Sequence, residues 1–366
     1  MSLRPRLVDD LIPLILSASD HWWWRDLLRL ARISPAWLFH IRKRLYTTPV
    51  LYSLRSCSLL ARTLSENPSL CPLIKGVELC PISEGTFLTA ADMQSVRYIL
   101  GLEGLVSLTL GGVFSIGAER FLNSLSYPES IVTLHINGSV RKDALSCPAS
   151  LEWDDVLASR FPSLQKLELS YLDLDITYPS FPYHLQLSEL VLCDVQLVGG
   201  DLSHLLQETD NLKLLRVTGE FSTEMDEQVS FVVESYGVEF LLYEVECTSP
   251  WRPMVFDEEL PPLASMLRVL DLNGVRVDAG TLDAVRRCYP NLEVLRVTGR
   301  TVSLGLEDWV EFVKSGGCTK LQRLQVPEGA NEPPFKRWGD DNALRKVCDE
   351  RGVILDNNNN MYNVII

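Results

Sequence analysis

One short phrase keeps returning along this chain: Leu-x-x-Leu-x-Leu, with Val or Ile standing in for Leu. The clearest copies are Leu164-Leu167-Leu169, Leu187-Leu190-Leu192, Leu212-Leu215-Val217, Leu267-Leu270-Leu272, Leu292-Leu295-Val297 and Leu321-Leu324-Val326. Weaker copies lie upstream at Ile74-Val77-Leu79, Leu105-Leu108-Leu110 and Ile131-Leu134-Ile136. Two copies share a flank, since residues 211–219 and 291–299 differ only at their third and fourth positions. The middle residue advances by 26 from Leu108 to Leu134, by 23 from Leu167 to Leu190, by 25 from Leu190 to Leu215 and again from Leu270 to Leu295, and by 29 from Leu295 to Leu324. A strand with period-2 alternation points its two closing apolar residues to one side. One such strand cannot bury that side alone, but parallel neighbours join their apolar sides into a continuous core.

Recurrence at about 20–29 residues is the period of a leucine-rich repeat. The expected fold is therefore an α/β solenoid, a leucine-rich-repeat horseshoe with parallel strands on its concave face, over residues 73–356. Ordinary buried strands in an α/β domain are the alternative, and the helical segments between most copies weigh against it. Helical returns are expected at 92–100, 117–126, 153–160, 201–208, 279–288 and 306–314. Phe161-Pro162 and Tyr289-Pro290 end two of them, because proline cannot continue a helix. Residues 221–250 are less regular, with a degenerate strand at 238–243. Long loops are expected at 248–262 and 327–341, a closing helix at 343–348, a closing strand at 353–355 and an Asn-rich tail at 357–366.

The first fifty residues do not follow the repeat. Leu7, Leu11, Leu14 and Ile15 recur at helical spacing and predict a short amphipathic helix. Met1 to Arg6 ahead of the apolar run at 11–16 faintly mimics a signal peptide, but Asp9, Asp10 and Pro13 fit a helix better. A Trp-rich stretch, Trp22-Trp23-Trp24, interrupts, and residues 26–33 offer a second helix. Ser34-Pro35 reads as an N-cap followed by proline at the first helical position of a third, whose face carries Trp37, Ile41 and Leu45. A helix at 56–65 connects this head, through 51–72, to the first repeat.

Leu7, Asp10-Leu11, Ile15-Leu16, Asp26 to Leu30, Ile33-Ser34 and Trp37 resemble, in order, the pattern of an F-box over residues 4–46. The usual Leu-Pro near the start is Leu7-Val8, and the Trp-rich stretch lengthens the first connection. An F-box-like head at 1–50 followed by leucine-rich repeats resembles the layout of F-box/leucine-rich-repeat proteins, most closely the divergent fungal members, in which residues 46–52 would hold the strand after the box. That resemblance implies a substrate-recognition adaptor of a Skp–cullin–F-box ubiquitin ligase. Its Skp-adaptor contacts would be Leu7, Leu11, Ile15, Leu27, Leu28, Ile33 and Trp37, some of which must build the three-helix core instead. The target would be an unidentified protein, and the compartment cytoplasmic or nuclear.

Composition narrows the alternatives. Net charge is −14, yet residues 1–80 hold eleven Lys/Arg against six Asp/Glu, so the remainder is strongly acidic. An acidic bulk is a poor nucleic-acid groove. Nothing approaches the ~20-residue apolar run of a membrane span. The nine cysteines are scattered with no C-x-x-C pair, which points to small buried residues in a reducing compartment. No phosphate loop, H-E-x-x-H or G-x-S-x-G occurs, and the five histidines lack metal-ligand or triad spacing. No catalysis, metal or cofactor is expected. Binding remains, through the strand residues that alternate with the leucines: Lys166, Glu168, Glu189, Arg216, Asp271, Asn273, Arg296 and Arg323 are the candidate target contacts. Charges of both signs mixed with apolar residues suit a protein ligand. The rival reading is a plain repeat scaffold, with the head as an N-terminal cap and no ligase association.

Overall fold

The computed structural model describes residues 7–18, 22–82, 88–139, 148–220, 222–246, 266–298, 304–327, 329–330, 336–337 and 342–356. The expected loop at 248–262, most of that at 327–341 and the Asn-rich tail lie outside them. The fold is α/β, a large open parallel sheet of 13 strands with interleaved helices. In chain order its strands are β1 (Val50–Leu51), β2 (Gly76–Leu79), β3 (Ser107–Gly111), β4 (Thr133–Asn137), β5 (Ser150–Trp153), β6 (Lys166–Ile176) and β7 (Glu189–Gly199). They continue as β8 (Leu214–Glu220), β9 (Phe240–Glu246), β10 (Val269–Asn273), β11 (Val294–Thr298) and β12 (Arg323–Gln325). A separate antiparallel pair, β13 (Gly329–Ala330) and β14 (Lys336–Arg337), precedes the last strand, β15 (Ile354–Asp356). Strand order follows the chain, except that β5 lies beside the second half of β6.

Register explains why the sequence phrase repeats. Val77, Leu108, Leu134, Leu167, Leu190, Leu215, Leu241, Leu270, Leu295 and Leu324 stand opposite one another in a single row across the sheet. A second row, two residues on, runs from Leu79 through Leu110, Ile136, Leu169, Leu192, Val217, Tyr243 and Leu272 to Val297. All these side chains are buried, and each full burial contributes roughly 1.5–3 kcal/mol.

The helices cover that apolar side. They are α4 (Leu54–Glu66), α5 (Ala90–Leu100), α6 (Glu119–Leu122), α7 (Asp155–Ser159), α8 (Leu202–Leu206), α9 (Thr223–Ser235), α10 (Ala279–Cys288), α11 (Leu306–Ser315) and α12 (Asn342–Arg351), numbered to follow three N-terminal helices. Val96, Ile99, Leu122, Leu157, Leu205, Val229, Leu282, Phe312 and Leu344 join the strand leucines in one continuous core. Side-chain caps start several helices: the Thr89 hydroxyl accepts from Asp92 N–H, the Asp154 carboxylate from Leu157 N–H and the Asp278 carboxylate from Thr281 N–H.

Three features depart from the sequence expectation. First, within the stretch expected to be irregular, residues 222–246 are as regular as their neighbours. α9 and β9 form a full repeat there, with Val238, Leu241 and Tyr243 filling the three apolar slots. Tyrosine in the third slot hid the phrase, and its hydroxyl is satisfied by donating to the Asp226 carboxylate of α9 at 3.0 Å. Second, residues 150–153 form an unexpected strand, the helix expected at 153–160 is trimmed to 155–159 as α7, and the one expected at 117–126 is α-helical only at 119–122 as α6. Third, β6 and β7 run on for 11 residues each. Both turn a corner at a residue in the left-handed region, Tyr171 at φ 56° and Asp194 at φ 50°.

The N-terminal helices, α1 (Leu7–Ser17), α2 (Trp24–Leu30) and α3 (Pro35–Thr47), have a core of their own. Ile12, Leu16, Leu27 and Ile41 are buried there, with Trp22, Leu30, Ala31, Ala36 and Trp37 packed around them. The Ser34 hydroxyl accepts from Trp37 N–H, so the serine cap and proline start α3 as read. The buried stripe of α1 is Ile12 and Leu16, four residues apart, and not the stripe of Leu11, Leu14 and Ile15, which faces outward with Leu14 63% exposed. Leu270→Ala is expected to destabilise the fold by about 2–5 kcal/mol, read from the urea midpoint. Val156→Ala, at an exposed position of α7, should stay within about 0.5 kcal/mol.

Candidate functional site

Two surfaces carry the side chains that sequence reading singled out. The first is the three-helix unit. Leu11, Ile15, Leu28 and Ile33 are exposed there, Ile33 at 62%, and so are Leu14, Trp23, Phe39 and Leu45. Leu27, by contrast, is 5% exposed and belongs to the unit's core, and Trp37 is half-buried against it. The side chain of Leu7 lies outside the described residues. A three-helix unit this small buries little apolar surface, yet it leaves large side chains outside on all three helices. The same helices and the turn between them carry exposed Arg25, Arg29, Arg32, Arg42 and Lys43.

The second surface is the side of the sheet away from the leucines. Alternation forces the intervening residues onto it, and register lines them up. Thr109, His135, Glu168, Val191, Arg216, Leu242, Asp271, Arg296 and Gln325 form its middle row. Glu168, Arg216, Asp271 and Arg296 thus stand in one row. Lys166, Glu189 and Arg323 occupy the row before it, and Asn273 the row after. At the β4–β7 end the Lys166 ammonium lies 3.6 Å from both the Glu168 and Glu189 carboxylates, and His135 lies 3.6 Å from Glu168. Burial holds His135 below the usual imidazole range, against the pull of the Glu168 carboxylate. Partly exposed pairs of this kind are worth roughly 0–1 kcal/mol each.

Toward β9–β11 the row is drier. The Arg296 side chain is 11% exposed and meets the Asp271 carboxylate at 3.4 Å. Among the described residues the guanidinium Nε and Nη2 have no hydrogen-bond partner. Burial raises the Asp271 carboxyl above its usual range, opposed by the Arg296 guanidinium. Asn273 donates to the Glu244 carboxylate at 2.7 Å and accepts from the Thr298 hydroxyl at 3.2 Å. Sequence reading missed Glu244, because the strand that carries it was not recognised at full length; alternation over 240–246 would have revealed it.

Burial pushes the thiols of Cys57, Cys80, Cys318 and Cys348 up to about 11, which leaves them protonated and packed as apolar side chains. Among the described residues no group of three or more His, Cys, Asp or Glu could hold a metal ion. Nor, among the described residues, is any helix long and apolar enough to cross a membrane. Comparison with known protein families and with curated proteins finds no match to this chain.

The Asp271–Arg296 pair makes a measurable prediction. Asp271→Asn removes the charge partner of a nearly buried guanidinium and should destabilise by about 1–3 kcal/mol. Adding Arg296→Met should recover most of that loss in a double-mutant cycle. A pH series gives an independent check. Folding raises the carboxyls of Asp226 and Asp271, so the native state binds protons more tightly there. Their contribution is present below the unfolded carboxylate pKa and lost as pH rises through the folded one. Asp226→Asn should therefore flatten the decline of unfolding free energy across the carboxylate range.

Proposed function

We propose that this protein is the substrate-recognition subunit of a Skp–cullin–F-box ubiquitin ligase. In this reading the α1–α3 unit is an F-box that docks on the Skp adaptor, and the sheet with its helices is a leucine-rich-repeat solenoid that holds a target protein. The observation that carries the reading is the three-helix unit: a separate small core with Leu11, Leu14, Ile15, Leu28, Ile33 and Phe39 left outside. Exposed apolar side chains gathered on one small unit mark an interaction surface. Strands in chain order with helices returning behind them support the solenoid.

Within that reading the head residues divide by role. Leu27 and Trp37, with Ile12, Leu16 and Ile41, hold the three helices in shape. Leu11, Ile15, Leu28 and Ile33 meet the adaptor, and exposed arginines on the same helices suit a partner with an acidic rim. The polar face, with Lys166, Glu168, Glu189, Arg216, Asp271, Asn273, Arg296 and Arg323, offers mixed charge to a protein target. The chain itself makes and breaks no bonds. It ties two partners to one rigid body and raises the effective concentration of a target lysine near the ubiquitin-carrying enzyme.

Co-purification of the full chain with purified Skp adaptor tests this. The Leu28→Asp, Ile33→Asp double variant changes only exposed positions, so it should keep its helical content and lose capture by about tenfold or more. Leu27→Asp should instead unfold the head. A wild-type chain whose head is folded and yet does not bind the adaptor would leave a repeat scaffold without ligase association.

A further inference from the structure

Past its corner, β7 parts from the strands that follow it. β7 pairs with β8 only through Glu189–Cys193, whereas it stays paired with β6 as far as Gly199. β8 meanwhile continues beside β9, out to Glu220 opposite Glu246. The parting comes at Asp194, in the left-handed region, and at Gly219, where a Cβ would lie 3.0 Å from an Asp194 carboxylate oxygen and 3.2 Å from its backbone nitrogen. A cleft of about 480 Å³ opens in the gap. Residues 194–197 wall one side, residues 217–220 and Val245 the other, and Ser222, Glu224 and Met225 close it at the start of α9.

Among the described residues, no strand pairs with Val195–Gly199 on the cleft side. Backbone donors and acceptors on that side of a strand are then left without a ladder. Proteins usually blunt such edges with brevity, charge or proline. The two ends of this sheet conform, since β1 has two residues and follows Pro49, and β15 has three. The edge at 195–200 reads Val-Gln-Leu-Val-Gly-Gly, with neither charge nor proline. Val198 is 66% exposed, and Val195 and Leu197 are only half-buried. Among the described residues, the cleft wall carries three carboxylates, Asp194, Glu220 and Glu224, and no Lys, Arg or His.

We propose that this cleft binds an extended, lysine- or arginine-bearing segment of another protein, which joins the free edge of β7 as an added strand. Backbone ladder bonds would supply affinity and the carboxylates would select basic side chains. The cleft is lined by none of the head residues or candidate target contacts named above, and the proposal holds whether or not the head docks on an adaptor.

The test uses the full chain and two fluorescein-labelled heptapeptides, Lys-Val-Lys-Val-Lys-Val-Lys and its counterpart with glutamate in place of lysine, read by fluorescence anisotropy. The lysine peptide should bind at least about tenfold more tightly. N-methylation of its valines or of its lysines should abolish binding in one of the two series and spare it in the other, because only alternate amides face the edge. The Glu220→Lys, Glu224→Lys double variant, at two exposed positions, should reverse the charge preference with an unchanged unfolding midpoint. Amides within 195–199 should exchange faster in the free chain than in the complex. Absence of binding, or equal binding by both methylated series and the parent, would overturn the proposal. So would an edge already fully protected in the free chain, which would mean that residues of the chain itself, such as 247–265, occupy it.

Discussion

The structure rests on apolar rows that no single strand could bury. Most strands contribute two or three side chains to the leucine side, and only the neighbour on each flank makes that burial complete. Register and core are therefore one constraint. A slip of one residue in any strand would put its leucines on the open side and its charged residues in the core. This is why Tyr243 can replace a leucine in its row: the slot requires volume on the correct side, and the one polar atom it brings is met by Asp226 on the helix of the same repeat.

The open side of the sheet follows from the same alternation. Because the leucine rows set the register, the intervening residues are brought into rows as well, and charges far apart in sequence become neighbours. Asp271 and Arg296 are 25 residues apart along the chain and 3.4 Å apart in space. Such a face has its polarity organised before any partner arrives, which reduces the ordering that binding requires. The paired charges also neutralise one another, so the face offers shape and mixed polarity more than a strong field.

The three-helix unit obeys a different balance. Among the described residues it buries four apolar side chains, too few to shelter the others on helices this short. Its outward stripe on α1 and the exposed Leu28 and Ile33 are the consequence, and they are what the proposed docking of the unit rests on. The corner in β6 and β7 has a comparable effect at the middle of the sheet. Two residues forced into the left-handed region turn the strands out of the shared ladder, and the edge so created is neither charged nor covered by any described strand.

The spacing of the leucines determined the parallel strands, most of the returning helices and the side of each strand that is buried, because period and alternation are local properties of the chain. The serine and proline at 34–35 likewise determined where α3 begins, through a cap made within one turn. Tertiary structure alone decided which apolar residues of the head are core and which are surface. Leu11, Ile12, Ile15 and Leu16 form two overlapping helical stripes, and only the position of α3 selects Ile12 and Leu16 for burial. It alone decided that residues 222–246 add one more helix and strand to the sheet, since Tyr243 is acceptable only beside its hydrogen-bond acceptor. It also decided that β7 outruns β8, because the length of a ladder depends on where both neighbours turn, which neither strand encodes by itself.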